Sequence, residues 1–202
     1  MYKVIVSILR FIFKIIYRQR IVNKSRLDFD GAMIFCGNHS HNFDAIFVAI
    51  NSRRTINFMA KKELFANKFF TWFFKTLHAI PVSRDGNDLY SLKLALKALK
   101  SGEVLGIFPQ GRREDGLSLQ TEFKPGISIL AVKTKTPVIP IYISENKRLF
   151  SKIDIVVGEP IELSEYYDKK LTNEEYVEIA QSIILKSILD LEESAENANN
   201  KG

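Results

Sequence analysis

Short, unbroken apolar runs recur along this 202-residue chain, each followed by glycine, proline or polar residues. They are GAMIFCG (31–37), INFMA (56–60), AIPVSR (79–84), VLGIFPQG (104–111), VIPIYI (138–143) and IDIVVGEPI (153–161). Runs of this kind are what strands look like when both faces of a sheet are covered. Between them lie stretches with helical spacing, at 43–51, 61–78, 88–102, 126–137 and 172–193. Asp88 and either Thr172 or Asn173 are placed to cap their helices, and Gly102 to stop one. Alternating strands and helices predict an α/β fold: a single domain with a largely parallel central sheet flanked by helices. An apolar fraction of 46% supplies one core at this length, and no repeat or linker divides the chain.

The N-terminal segment has a different pattern. In MYKVIVSILRFIFKIIYRQR (1–20), Lys3, Ser7, Arg10, Lys14 and Tyr17 fall on one helical stripe about 80° wide, and nearly everything else is Val, Ile, Leu or Phe. Charges interrupt the apolar run and no small-residue cleavage site follows, so it does not read as a secretory signal. Nor does it suit a span, since each central Arg or Lys costs roughly 2.5–3.5 kcal/mol on insertion. It reads as a helix lying in a membrane interface; the alternative is a core helix with a narrow solvated stripe. The expected division is a membrane-interface segment at 1–24, an α/β domain at 25–193 and a polar, frayed tail at 194–202. A second aromatic concentration lies in 61–78, with Phe65, Phe69, Phe70, Phe73, Phe74 and Trp72 punctuated by lysines. It fits either a core helix or a surface that meets lipid or an acyl chain.

The net charge is +6 and the isoelectric point about 9.3. That favours anionic lipid, phosphorylated substrates or an acidic carrier. No nucleic-acid motif accompanies the charge, so no nucleic-acid partner is expected. The single cysteine, Cys36, excludes an internal disulfide, fits a reducing compartment and reads as a buried thiol.

The first strand ends in NHSHNFD (38–44), at the kind of strand-to-helix junction where parallel sheets carry their chemistry. Three readings compete. His39, His41 and Asp44 form a metal set, although His78 is the only other histidine and zinc asks for three or four protein ligands. Alternatively, Asp44 folds back across a helical start to accept the His39 imidazole N–H, leaving the other nitrogen to take a proton. Or Asn38 or Ser40 caps the helix and the histidines are incidental. Cations stand at other strand ends: Arg84, Arg112 and Arg113, and Lys124 before a Pro-Gly turn. Together with a base they suit a hydroxyl nucleophile on a phosphorylated substrate, because guanidinium groups bind two phosphate oxygens at once.

Four stretches together resemble the glycerolipid acyltransferase family, specifically the bacterial 1-acyl-glycerol-3-phosphate acyltransferases. They are Asn38-His39-(four residues)-Asp44, AIPVSR ending in Arg84, Phe108-Pro109-Gln110-Gly111-Arg112-Arg113, and Val138-Ile139-Pro140-Ile141. The resemblance runs from about residue 31 to 161. It implies that His39 is the general base on the free hydroxyl of lysophosphatidic acid, which attacks an acyl thioester of coenzyme A or acyl-carrier protein. It implies phosphatidic acid as product, Asp44 as orienter of His39, and Arg84 and Arg113 on the acceptor phosphate. Arg112 and Lys124 stand beside that phosphate site; Asn38, Gln110, Gly111 and Pro140 support the motifs. No metal and no cofactor beyond the acyl donor is implied. The expected place is the cytoplasmic face of the cell membrane, bound peripherally or monotopically. The third motif departs from the family's usual Phe-Pro-Glu-Gly-Thr-Arg at Gln110 and Arg112, which points to a different or more anionic acceptor. Three other functions stay open: acylation of another lysophospholipid, a thioesterase or metal-dependent hydrolase using His39, His41 and Asp44, and a membrane-surface binding protein without catalysis.

Overall fold

The computed structural model describes residues 1–83, 88–111, 113, 116–145 and 147–200. Seven strands form one sheet: β1 (Arg18–Val22), β2 (Met33–Gly37), β3 (Ile56–Lys61), β4 (Ile80–Val82), β5 (Val104–Ile107), β6 (Val138–Ile143) and β7 (Lys152–Val157). Their order across the sheet is β1-β7-β6-β2-β5-β3-β4. Every pairing is parallel except β6 with β7. The C-terminal ends of β2, β3, β4, β5 and β6 therefore share one edge. Because β7 runs the other way and β1 follows it, Arg18 and Lys152 begin their strands at that same edge.

Period-two alternation sends successive residues to opposite faces. In β2, Ile34 and Cys36 enter one core with Leu99, Leu130, Ala131, Ile184 and Leu185. Met33 and Phe35 enter the other, with Phe13, Phe47 and Ile50. The first is covered by α4 (Leu89–Lys100), α5 (Gly126–Thr134) and the closing helices; the second by α1 (Tyr2–Ile16) and α2 (Asp44–Asn51). The result is a three-layer α/β fold with a mostly parallel sheet. Burial pushes the Cys36 thiol up, which leaves it a packing residue.

Asp88 caps α4 by accepting from Ser91 N at 2.9 Å, and Gly102 follows the helix at φ +77°. Thr172 and Glu175 form a reciprocal capping box at the start of α6 (Asn173–Glu178). This helix continues through a wider π stretch (Ile179–Leu185) into α7 (Lys186–Asn200).

Three boundaries differ from the sequence reading. The first helix stops at Ile16 rather than Arg20, because Tyr17 turns extended and Arg18–Val22 pairs with β7 as an edge strand. Residues 18–22 thus belong to the sheet, not to a separate N-terminal segment. The stretch 61–78 is not one helix: a 3-10 turn (Lys62–Phe65) precedes α3 (Lys68–Thr76), which is capped afresh by Asn67 on Phe70 N. The tail from residue 194 stays helical as far as Asn200, held by Ala195 in the core.

Of the two readings for α1, the core reading holds for one face. Val6 and Phe13 are buried, and Arg10 donates to the Ile50 carbonyl at the end of α2. The opposite face, by about 100° per residue, carries Val4, Ile8, Phe11 and Ile15, each more than half exposed. Helix α3 buries nothing, which rules out its core reading; Phe69 is 66% and Trp72 50% exposed. Among the described residues no helix is long and apolar enough to cross a membrane.

Candidate active site

The turn between β2 and α2 is folded around one carboxylate. Asp44 is the first residue of α2 and is fully buried. Its Oδ2 lies 2.9 Å from His39 Nδ1 and accepts from the backbone N–H groups of Ser40 and His41 at 2.9 and 2.8 Å. Five residues of separation and the turn that leads into α2 thus bring imidazole and carboxylate together. Burial works to raise the Asp44 carboxyl. The His39 hydrogen bond, the Lys147 charge and the His41 backbone N–H outweigh it and hold it below its usual value. The ionised carboxylate accepts, so His39 carries its proton on Nδ1 and presents Nε2 as the basic nitrogen.

The rest of His39 is fixed from β5. Its ring stacks on Phe108, with centroids 4.5 Å apart, and its backbone N–H donates to Gln110 Oε1 at 2.7 Å. A side chain at Gly37 would meet the Phe108 ring at 3.3 Å, so glycine lets that ring sit against the end of β2. Asn38 is also buried: it donates to the Ile143 carbonyl at 2.9 Å and accepts from Ile143 N at 2.8 Å. That pair of hydrogen bonds ties the end of β2 to the end of β6.

Neither Asn38 nor Ser40 caps α2. Its cap residue is Phe43, without a side-chain bond. His41 lies edge-on to Phe43, with Nδ1 accepting from Phe43 N at 3.3 Å. Burial lowers its pKa, with the charges of Lys147, Arg113 and His39 acting the same way against the pull of Asp44. Among the described residues no three His, Cys, Asp or Glu side chains group as a metal set.

The third motif closes over the first. Arg113 Nη1 donates to Asn42 Oδ1, which lies within NHSHNFD. Gly111 is at φ +69°, and a side chain there would meet Lys124 Cε at 3.0 Å. Lys124 in turn donates its backbone N–H to the Pro109 carbonyl. Gln110 thus touches His39 itself, Arg113 reaches the same turn at Asn42, and Lys124 lies against Gly111. Pro140 lies inside the sheet, opposite Cys36 and packed on Gly158, so it supports packing rather than the site. Arg84 and Arg112 lie outside the described residues. Beside Ser83, a groove of about 550 Å³ is lined by Lys62, Phe65, Lys75 and Pro81.

One residue of this site carries no motif. Lys147, in the loop between β6 and β7, is 1% exposed at its side chain and lies 2.9 Å from Asp44 Oδ1. Its ammonium also donates to Ser40 Oγ at 2.7 Å and the Ser144 carbonyl at 2.8 Å. In the sequence it is an ordinary lysine in SENKRLF, with nothing to separate it from its neighbour Arg148.

The Acyltransferase family model matches residues 18–144. This chain belongs to the acyltransferase family. The 1-acyl-sn-glycerol-3-phosphate acyltransferase of Bacillus subtilis (strain 168) is 34% identical over 172 residues, 82% of this chain and 85% of that protein. The protein of the same name from Streptococcus pneumoniae (strain ATCC BAA-255 / R6) is 28% identical over 178 residues, 85% of this chain and 64% of that one. The crystal structure of the 1-acyl-sn-glycerophosphate (LPA) acyltransferase PlsC from Thermotoga maritima shares the fold of this acyltransferase. The TM-score is 0.69 at 22% identity, covering 95% of this chain and 79% of that one.

Proposed function

We propose that this acyltransferase esterifies the free hydroxyl of 1-acyl-glycerol-3-phosphate, giving phosphatidic acid for phospholipid synthesis. The observation that carries the reading is the His39–Asp44 pair, 2.9 Å apart after the end of β2, with Arg113 bonded to Asn42 of the same turn. The two relatives named above as 1-acyl-sn-glycerol-3-phosphate acyltransferases support the choice of acceptor.

The acceptor hydroxyl donates to His39 Nε2. As its oxygen bonds to the thioester carbonyl carbon, the proton passes to Nε2, and Asp44 stabilises the imidazolium. The adduct collapses, the C–S bond breaks, and the departing thiolate takes the proton back. No acyl-enzyme and no cofactor enters; the donor is acyl-CoA or acyl-carrier protein. Arg113, Arg84 and Arg112 hold the acceptor phosphate with Lys124. The groove beside Ser83 offers two ammonium groups and an apolar wall to a lysophospholipid. Gln110, the residue that best supports a non-catalytic reading, is engaged in holding His39.

The outer faces of α1 and α3 fit a membrane surface. α1 presents Val4, Ile8, Phe11 and Ile15 alongside Lys3 and Lys14, and α3 presents Phe69, Phe70 and Trp72 alongside Lys68 and Lys75. They support the reading that the acyltransferase works at the cytoplasmic face of the cell membrane, where its acceptor lies. The purified chain, given acyl-CoA or acyl-carrier protein and a panel of lysophospholipids, is expected to acylate 1-acyl-glycerol-3-phosphate fastest. Turnover confined to thioester hydrolysis would overturn the proposal.

A further inference from the structure

We infer that Lys147 is a positioning residue for the reaction, acting on His39 through Asp44. The inference rests on His39 as the base. The two Asp44 oxygens are used differently: Oδ2 takes the His39 ring and two backbone N–H groups, and Oδ1 faces the Lys147 ammonium. With both ends held, the carboxylate cannot turn, and the direction of the Nδ1–H bond is fixed. The ammonium donates to Ser40 Oγ and to the Ser144 carbonyl, and these two bonds hold it 2.9 Å from Asp44 Oδ1 as an ion pair. Its side chain is 1% exposed, so it acts on substrate only through its partners.

The arrangement also bears on charge. A buried carboxylate without a counter-charge tends to protonate, and a protonated Asp44 no longer accepts from Nδ1–H with a charge behind it. The groups acting on Asp44 are His39 and His41 from its own turn and Lys147 from the β6–β7 loop, with Arg113 acting on His41 from the β5 side. Lys147 is thus a cation within 3 Å of the carboxylate, supplied from a different strand end. It joins the loop after β6 to the turn after β2, so two strand ends set one imidazole.

The test compares the parent chain with Lys147→Met, Lys147→Gln and Lys147→Arg, alongside His39→Ala. The assay measures kcat, acceptor KM and the pH profile, using lysophosphatidic acid with both acyl-CoA and acyl-carrier protein. Folding of each variant is followed by circular dichroism. Lys147→Met is expected to lower kcat about 100-fold with little change in acceptor KM. Its acidic limb moves to higher pH, because the charge that holds Asp44 down is gone. Lys147→Arg restores the limb and part of kcat. If Lys147→Met does not fold, Lys147→Gln decides, since it keeps a polar donor on a side chain one atom shorter and removes the charge. A lysine that only holds the fold would lower the folded yield and leave the limb of the folded fraction in place. Parental kcat with an unmoved limb in folded Lys147→Met or Lys147→Gln overturns the inference. If His39→Ala is inactive in that case, the failure is confined to Lys147. If His39→Ala is active, the base reading itself falls.

Discussion

The turn after β2 and the outer face of α1 treat their exposed or polar groups in opposite ways. In the turn, buried polar groups are held in place by several partners each. Asp44 takes the His39 ring, two backbone N–H groups and an ammonium, and Asn38 makes both of its bonds to Ile143. On the outer face of α1, Val4, Ile8, Phe11 and Ile15 are left exposed, although a few residues away Val6 and Phe13 are fully packed. Fixed polar geometry suits a proton transfer that tolerates little misplacement. An exposed apolar face suits a surface that needs area and no fixed geometry. The contrast separates what the protein must hold itself from what it leaves to its surroundings.

The largest expected effect breaks the first region alone. His39→Ala removes the nitrogen that accepts the proton, and kcat is expected to fall roughly 10³-fold. The ring is partly exposed, so the fold survives, and binding to anionic vesicles stays at the parental level. Substantial turnover by purified His39→Ala protein would show that the turn is ordered for some other purpose.

The second effect breaks the other region. Ile8→Ser, Phe11→Ser and Ile15→Ser combined remove three exposed apolar groups and no core contact. A large side chain entering an apolar phase contributes about 1.5–3 kcal/mol when fully buried. Partial burial of three makes a fall of about 10–100-fold in vesicle affinity reasonable. Flotation with anionic vesicles measures this. Turnover of a water-soluble, short-chain acceptor is expected to fall far less than turnover of vesicle-borne acceptor. Equal falls in both would mean that the face serves the fold.

The two regions also differ in how far they can be read from sequence. The β2, β5 and β6 strands are legible because burial on both faces leaves unbroken apolar runs. The approach of Asp44 to His39 is legible from a five-residue spacing at a strand-to-helix junction. β1 is not, because an edge strand needs no such run: RQRIV is three polar residues followed by two apolar ones. It also abuts an apolar helix, which invites extension of that helix through it. The break before α3 depends on one Asn67 cap inside a run of helix-compatible residues. Lys147 is the clearest case, since its role exists only once the end of β6 lies beside the end of β2. Neither α1 reading is complete, because 3.6-residue periodicity finds an apolar arc without saying how much of it faces the sheet.

The smallest effect concerns Gln110, where the third motif has lost a carboxylate. Its Oε1 accepts from the His39 backbone N–H, and the side chain is buried. The contact needs an acceptor oxygen and not a charge, so glutamine suffices for it. Gln110→Leu leaves the His39 amide without its partner at the edge of the core, and kcat is expected to fall about tenfold, the value of a hydrogen bond worth ~1.4 kcal/mol. Gln110→Glu keeps the acceptor and adds a second carboxylate near a site that already holds Asp44. Burial disfavours its charge, and in its neutral form it still accepts through the carbonyl oxygen. Its kcat is expected to stay within about threefold of the parent, well short of the Gln110→Leu loss. Steady-state assays of both variants on one acceptor separate the outcomes. If Gln110→Glu instead changes which lysophospholipid is preferred, the missing charge acts on the acceptor, and the ordered turn and substrate recognition share a residue at position 110.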